Sequence, residues 1–299
     1  MNIDFALLRS FVVLAEELHF ARAAERLYIE QPALSQRTRR LERRIAVQLF
    51  DRDTRNVRLT PAGVEFLNDI RDVLARFDSA VARAQETASG DRGTIRVAYT
   101  FSVGYETLPA LLTGLDTDSG LQAEALELWE KDVLDAVRRR RQDVGLVRYD
   151  PDDPELASVL IRRERLALAV PHGHHLATLM SVSLSEVSGE PFVIIPRSVA
   201  PGYHAVIEKV FARAGFAPKT VANAVPGSRV MTDLQRNNAV ALLPMSAQRV
   251  HPEGVAAFLR IEDDFATLPV RLIYREDSST AVRAFADRAQ QIAREHHWL

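Results

Sequence analysis

Cysteine is absent from the 299-residue chain, which excludes disulfides, thiolate metal sites and a cysteine nucleophile and fits a reducing compartment. No apolar run approaches the roughly 18–20 residues that span a bilayer. The opening Met1-Asn2-Ile3-Asp4 has neither the basic nor the apolar region of a signal peptide, so a cytoplasmic protein is expected. There is no glycine-rich phosphate loop with a lysine and no Gly-x-Ser-x-Gly turn. Without a nucleophile–base pair or a cofactor loop, neither enzymatic activity nor a cofactor is expected.

What is present is an ordinary globular composition, 47% hydrophobic and 26% charged, over a length that suits two or three domains. The net charge of −2 is unevenly spread: residues 1–60 hold eleven Arg against eight Asp and Glu and so carry +3, which leaves −5 for the rest. A basic end on an acidic protein suits a polyanion partner, although a solvated charged face has the same composition.

Periodicity places three helices in the first 46 residues. The first, about 4–18, carries Phe5, Leu8, Val12, Ala15 and Leu18 on one stripe. The second, about 21–28, is alanine-rich and can approach a neighbour closely. The third follows Gln31-Pro32-Ala33-Leu34-Ser35, with Pro32 suited to a first helical turn. On it Leu34, Thr38, Leu41 and Ile45 fall within a sector of roughly 60°, a core-facing stripe. Opposite lie Pro32, Gln36, Arg39, Arg40 and Arg43, with Ser35 at the edge. Glutamine and arginine can bond adenine and guanine edges in pairs, and arginine also binds phosphate. Two helices and a tight turn, the second helix polar and basic, make a helix-turn-helix over 20–39. Val47–Phe50 and Val57–Thr60 read as two short strands around a polar turn, a wing on which Arg52 and Arg55 can touch phosphates.

Residues 1–60 resemble the winged helix-turn-helix of LysR-type transcriptional regulators. The resemblance rests on Phe20-Ala21-Arg22-Ala23-Ala24-Glu25-Arg26-Leu27, Gln31-Pro32-Ala33-Leu34-Ser35, Arg40-Leu41-Glu42, Leu49-Phe50-Asp51-Arg52 and Val57-Arg58-Leu59-Thr60-Pro61-Ala62-Gly63. It implies that the start of the third helix reads base edges through Gln31, Pro32, Ser35, Gln36 and Arg39, with Arg22, Ala33, Arg40 and Arg43 beside them. Two positions depart from the family. Ala21 stands where Ser or Thr is usual, removing a capping hydroxyl or a phosphate contact, and Glu30 puts a carboxylate where a small residue is common.

Thr60-Pro61 is a helix start, a capping hydroxyl followed by proline. From there Leu67, Ile70, Leu74, Phe77, Val81 and Ala84 recur at alternating steps of three and four. This seam over 61–88 predicts a rod of about 42 Å that pairs with a second copy; a helix packed on its own domain is the alternative. The family resemblance agrees with a dimerisation helix. Ser89-Gly90-Asp91-Arg92-Gly93 then breaks the pattern.

From residue 94 strands alternate with helices, which predicts a mostly parallel sheet covered on both faces, in an α/β effector domain over 89–299. Lobe I is placed at 93–161 and 265–299, lobe II at 162–264, an arrangement that resembles the periplasmic-binding-protein-like domain of the same family. Asp143-Val144-Gly145-Leu146-Val147-Arg148 and Val240-Ala241-Leu242-Leu243-Pro244 carry this part of the resemblance. Asn237-Asn238 stands where the family commonly has glycine, and asparagine tolerates left-handed backbone.

Ligands in open α/β sheets sit beyond the carboxyl ends of strands, beside helix N-termini. That rule selects Thr100, Phe101 and Ser102, then Trp129, then Arg197 and Ser198, then Val225 and Pro226. Arg148 is a candidate partner for a carboxylate effector. Capping by Thr100 or Ser102, lobe-edge cover by Trp129 and a structural ion pair for Arg148 are the competing roles. His172-Gly173-His174-His175 lacks helical metal spacing and an accompanying carboxylate, so no metal is expected. Arg138-Arg139-Arg140-Arg141 suits a helix end, where cations complement the dipole.

These readings describe a DNA-binding regulator with a small-molecule effector, working on double-stranded DNA as a homodimer or homotetramer, with RNA polymerase as a further partner. The rival is a small-molecule-binding or enzymatic α/β protein with an N-terminal oligomerisation module.

Overall fold

A computed structural model describes residues 3–52, 57–89, 94–116, 122–223, 228–251 and 254–299. They divide into two compact units, Met1–Thr87 with Arg139–Arg141, and Ala88–Arg138 with Gln142–Leu299.

The first unit opens with α1 (Phe5–Glu17), α2 (Phe20–Arg26) and α3 (Gln31–Ile45), followed by a ribbon of β1 (Phe50–Arg52) and β2 (Val57–Leu59) and by α4 (Pro61–Ser89). Asp4 caps α1 by accepting the Leu7 N–H. The buried stripe of α1 is Leu7, Leu8, Phe11, Leu14 and Ala15, so the stripe expected through Phe5 and Leu18 is displaced; both of those are exposed. Ala21 is not the cap of α2, contrary to the expected loss of a hydroxyl there: His19 caps it, its Nδ1 accepting the Arg22 N–H at 3.3 Å. Ala23 and Ala24 are buried, the close approach that small side chains permit. On α3, Leu34, Thr38 and Leu41 point inward as their spacing predicts, and Thr38 returns its hydroxyl to the Leu34 carbonyl. Burying each leucine contributes about 1.5–3 kcal/mol. Turning the helix over would forfeit that and bury guanidiniums instead.

The ribbon is held to α3 by Glu42, whose Oε1 accepts the N–H groups of Leu49 and Phe50 at 3.0 and 3.2 Å. Thr60 starts α4 as expected, accepting the Gly63 N–H and donating to the Gln48 carbonyl. Gly63 has no room for a side chain: a Cβ there would lie 2.2 Å from the Leu49 carbonyl oxygen.

The seam of α4 is only partly a pairing surface. Leu67, Ile70 and Leu74 are buried in the core that α1–α3 form. Phe66 packs on Phe11 and Phe77 stacks on Phe5 with ring centroids 4.2 Å apart. Docking on a globular head produces the same three-four spacing as a coiled coil, which is why the sequence reading assigned these three leucine and isoleucine positions to a partner. Past that contact Phe77 and Val81 remain exposed, as does Val73 one turn earlier.

The second unit runs β3 (Thr94–Tyr99), α5 (Thr107–Asp116), β4 (Gln122–Glu127), α6 (Glu130–Arg138), β5 (Val144–Val147), β6 (Leu156–Pro171), β7 (Ser181–Val182), β8 (Pro191–Ile194), α7 (Pro201–Ala214), β9 (Lys219–Asn223), α8 (Ser228–Asn237), β10 (Ala241–Pro244), β11 (Ala256–Ile261), β12 (Thr267–Arg275) and α9 (Thr280–Glu295). Strands β4, β3 and β5 are parallel, but β12 is antiparallel to both β5 and β6, and β10 and β11 are antiparallel to β6. The sheet is therefore mixed rather than mostly parallel. Helix–strand alternation alone did not reveal that β6 is one 16-residue strand. Its first half pairs with β12 in lobe I and its second half with β10 and β11 in lobe II. Each lobe has its own apolar core, one around α5 and α9, the other around α7. Asn238 turns at φ 44°, the left-handed geometry expected where the family carries glycine.

Candidate nucleic-acid face and candidate ligand cleft

With its apolar stripe inward, α3 presents Gln31, Pro32, Gln36, Arg39, Arg40 and Arg43 to solvent, while Ala33 and Ser35 are half-buried. These expected contact residues thus share the outward side of one helix. Arg22 is also exposed, but its guanidinium reaches back to the Glu17 carbonyl at 2.7 Å, which ties α2 to the end of α1. The side chain of Arg52 and all of Arg55 lie outside the described residues. Sequence reasoning passed over Tyr28. It sits in the turn between α2 and α3 at φ 53° and is 97% exposed. A left-handed non-glycine residue whose ring is this exposed is a candidate for contact with a partner. Arg58 on β2 is likewise exposed. Glu30 proves to be the N-cap position of α3 but makes no side-chain capping bond.

In the second unit the ends of β3, β4 and β5 open on a cavity of about 480 Å³, within the range of small-molecule sites. From lobe I it is lined by Thr100, Phe101, Ser102, Tyr105, Trp129 and Arg148. Lobe II adds Ile195, Val199, Tyr203, Val230, Leu243 and His251. Five expected lobe I positions therefore converge on it. Arg197 and Ser198 do not line it: both are exposed, and Arg197 pairs with Glu208 of α7 at 2.9 Å. Their neighbours Ile195 and Val199 take the wall instead. Val225 and Pro226 lie outside the described residues.

Arg148 lines the cleft without being free to serve it. It is 1% exposed. Its Nη1 donates to Glu164 Oε2 at 2.6 Å, its Nε to Ser102 Oγ at 3.1 Å and its Nη2 to the Ser102 carbonyl at 2.7 Å. The expectation that it pairs with a carboxylate effector gives way to its competing role, a structural ion pair. Glu164, on β6, also accepts the Ser246 N–H at 2.7 Å. Burial would raise the Glu164 carboxyl, but the Arg148 charge and the Ser246 and Arg148 hydrogen bonds outweigh it and hold the group below its ordinary value.

Glu130, the first residue of α6, is a second buried carboxylate on the wall. Its two oxygens accept the N–H groups of Gly202 and Tyr203, at 2.5 and 2.9 Å, in the first turn of α7. Gly202 is tightly confined, since a Cβ would meet the Tyr149 ring at 2.2 Å. Sequence reasoning missed Glu130, because its partners lie 72 residues away. Thr100 heads a short 3-10 turn, yet its hydroxyl makes no capping bond; Oγ1 is buried and unpaired. Burial raises the Tyr105 and Tyr203 phenols, which stay protonated, and lowers His251, which favours its neutral form.

Away from the cleft, the histidine loop does have an accompanying carboxylate. Glu190 lies 3.5 Å from His174 Nε2 and 3.1 Å from His175 Nε2. The Leu176 N–H donates to His174 Nδ1, so the proton of the neutral ring is on Nε2. That nitrogen is buried without a hydrogen-bond partner, and His174, His175 and Glu190 bring ligand atoms within 4.8 Å of one another, contrary to the expectation that no carboxylate accompanies the histidines. Arg138 ends α6 and pairs with Asp153, as a helix-end cation would.

Residues 5–64 match the family model described as a bacterial regulatory helix-turn-helix protein of the lysR family, and residues 88–294 match the LysR substrate binding domain. The chain is similar to the uncharacterized HTH-type transcriptional regulator YnfL of Escherichia coli (strain K12), with 34% identity covering 95% of this chain and 97% of that one. It is 30% identical to the HTH-type transcriptional regulator TfdS of Cupriavidus pinatubonensis (strain JMP 134 / LMG 1197), covering 97% and 98%. Among solved structures, full-length CbnR complexed with its target DNA superposes with a TM-score of 0.83 at 25% identity, over 97% of this chain and 100% of that one.

Replacing Glu164 by Gln leaves the Arg148 charge buried without its counter-ion, a loss of about 3–5 kcal/mol. Because the folded carboxyl is held below its ordinary value, its contribution is complete above about pH 4.5 and is lost as pH falls through the lower folded value. Chemical denaturation against pH should therefore show wild type losing stability on acidification, with Glu164→Gln less stable at neutral pH and less sensitive to acid. Equal stabilities at pH 7 would contradict the pairing.

Proposed function

The chain belongs to the LysR family of bacterial regulatory helix-turn-helix proteins, and from that membership we propose how this regulator reads DNA and what controls it. The observation that carries the reading is the outward side of α3, where Gln36, Arg39, Arg40 and Arg43 are exposed while Leu34, Thr38 and Leu41 are buried. Gln31, Pro32, Ser35, Gln36 and Arg39 meet base edges in the major groove. Arg40, Arg43 and the wing arginines bind phosphates and set the register. Tyr28 packs against the DNA backbone beside them. The protein works in the cytoplasm, has no enzymatic activity, and acts with RNA polymerase at its promoters.

Two copies pair through the part of α4 that its own head leaves exposed, Val73, Val81 and the open face of Phe77, and dimers join into a tetramer. The small-molecule effector sits in the cleft between the lobes and shifts their population, which alters the DNA-bound geometry.

Gel-shift titration with promoter DNA tests the reading. Gln36→Ala/Arg39→Ala is expected to weaken specific binding by about 1–3 kcal/mol for each base pair whose contact is lost. Unchanged retardation would contradict it. Sedimentation tests the pairing surface: Val81→Asp should give a smaller species with an intact fold, and an unchanged assembly would count against that surface.

A further inference from the structure

We propose that the cleft selects an aromatic molecule bearing a protonated amine and rejects organic carboxylates, because the protein's own groups already fill the places an anion would take. The inference rests on the reading of this cavity as the effector site and names the chemical class that fits it.

An organic anion in an α/β cleft is held by two devices: a cationic side chain and the free N–H groups of a helix N-terminus. In this chain both are occupied. Arg148 is the one arginine or lysine among the described lining residues; its charge is balanced by Glu164, and its Nε and Nη2 each donate to Ser102. The N-terminus of α7, a 14-residue helix, already holds a carboxylate, that of Glu130, bound through both oxygens.

What the cleft does offer is negative and aromatic. Glu127 ends β4 on the cavity wall, is exposed, and has no ion-pair partner among the described residues. Beside it Trp129 is 49% exposed, and Phe101 and Tyr105 meet edge to face at 5.3 Å. Aromatic faces next to a carboxylate form the surroundings in which an organic ammonium is bound by cation–π attraction and charge. The buried, unpaired Thr100 Oγ1 adds a hydroxyl that can accept from an ammonium N–H or donate to a ligand oxygen, so it serves either charge class. An anion would instead meet the carboxylates of Glu127 and Glu130 on the cavity wall and be repelled by them.

Benzylamine, benzyl alcohol and benzoate share a ring and differ in charge. Their binding to the full-length protein is read from tryptophan fluorescence in Trp298→Phe, which leaves Trp129 as the sole tryptophan of the chain's two. The expected order is benzylamine, then benzyl alcohol, with benzoate weaker than benzylamine by about tenfold or more. Glu130→Ala vacates the α7 amides and should bind benzoate more tightly than the parent does. Glu127→Gln, which leaves those amides untouched, should reduce the preference for benzylamine even if Glu130→Ala does not fold. Benzoate binding the parent as tightly as benzylamine would overturn the charge class while leaving the cleft a ligand site. No response of Trp129 to any of the three probes would overturn the effector reading of the cleft as well.

Discussion

A guanidinium taken out of water must be neutralised and hydrogen-bonded where it lies, and in this protein that constraint organises the effector unit around Arg148. The residue directly follows β5 in lobe I. Its counter-ion, Glu164, comes from β6, the strand that continues into lobe II, and the same carboxylate accepts an amide from Ser246 beyond β10. One buried ion pair thus joins the end of the lobe I sheet to the strand shared by both lobes. Because the pair is satisfied internally, the cleft above it is left without an available positive charge.

The first unit treats its arginines in the opposite way. The stripe that anchors α3 is short, two leucines and a threonine with a self-satisfied hydroxyl, and it leaves glutamine and three arginines on the outward side. None of them is needed to hold the head together, which is held by the apolar core and by Glu42 on the ribbon amides. The exposed cations stand on the outward side of α3, and the buried cation stands on the wall of the cleft. Net charge conceals this division. The +3 of residues 1–60 and the −5 of the remainder express it only in part.

Much of this was legible in the sequence, for reasons that differ between elements. The α3 stripe could be read because helical periodicity and burial coincide over a single element. So could Thr60-Pro61 as a helix start and Thr100, Trp129 and Arg148 as strand-end residues, since strand ends are local features. The docking of Leu67, Ile70 and Leu74 on the head was not legible, because a heptad does not say which surface it meets. Antiparallel pairing through β6 and β12 joins segments about a hundred residues apart. A separation of 72 residues hid the α7 amides from Glu130, whereas Glu164, only 16 residues from Arg148, was missed because it stands on β6, a strand that helix–strand alternation did not reveal. Arg197 was chosen by loop position, and only the coordinates show that it turns to Glu208.

The central claim is that the outward side of α3 is the surface that meets DNA, and amide hydrogen exchange measured with and without promoter DNA tests it most directly. The account predicts slower exchange on DNA binding along the first turns of α3, the turn at Tyr28 and the β1–β2 ribbon, with little change at the buried β6. Protection that left α3 and its preceding turn unaffected, while appearing elsewhere in the chain, would contradict it.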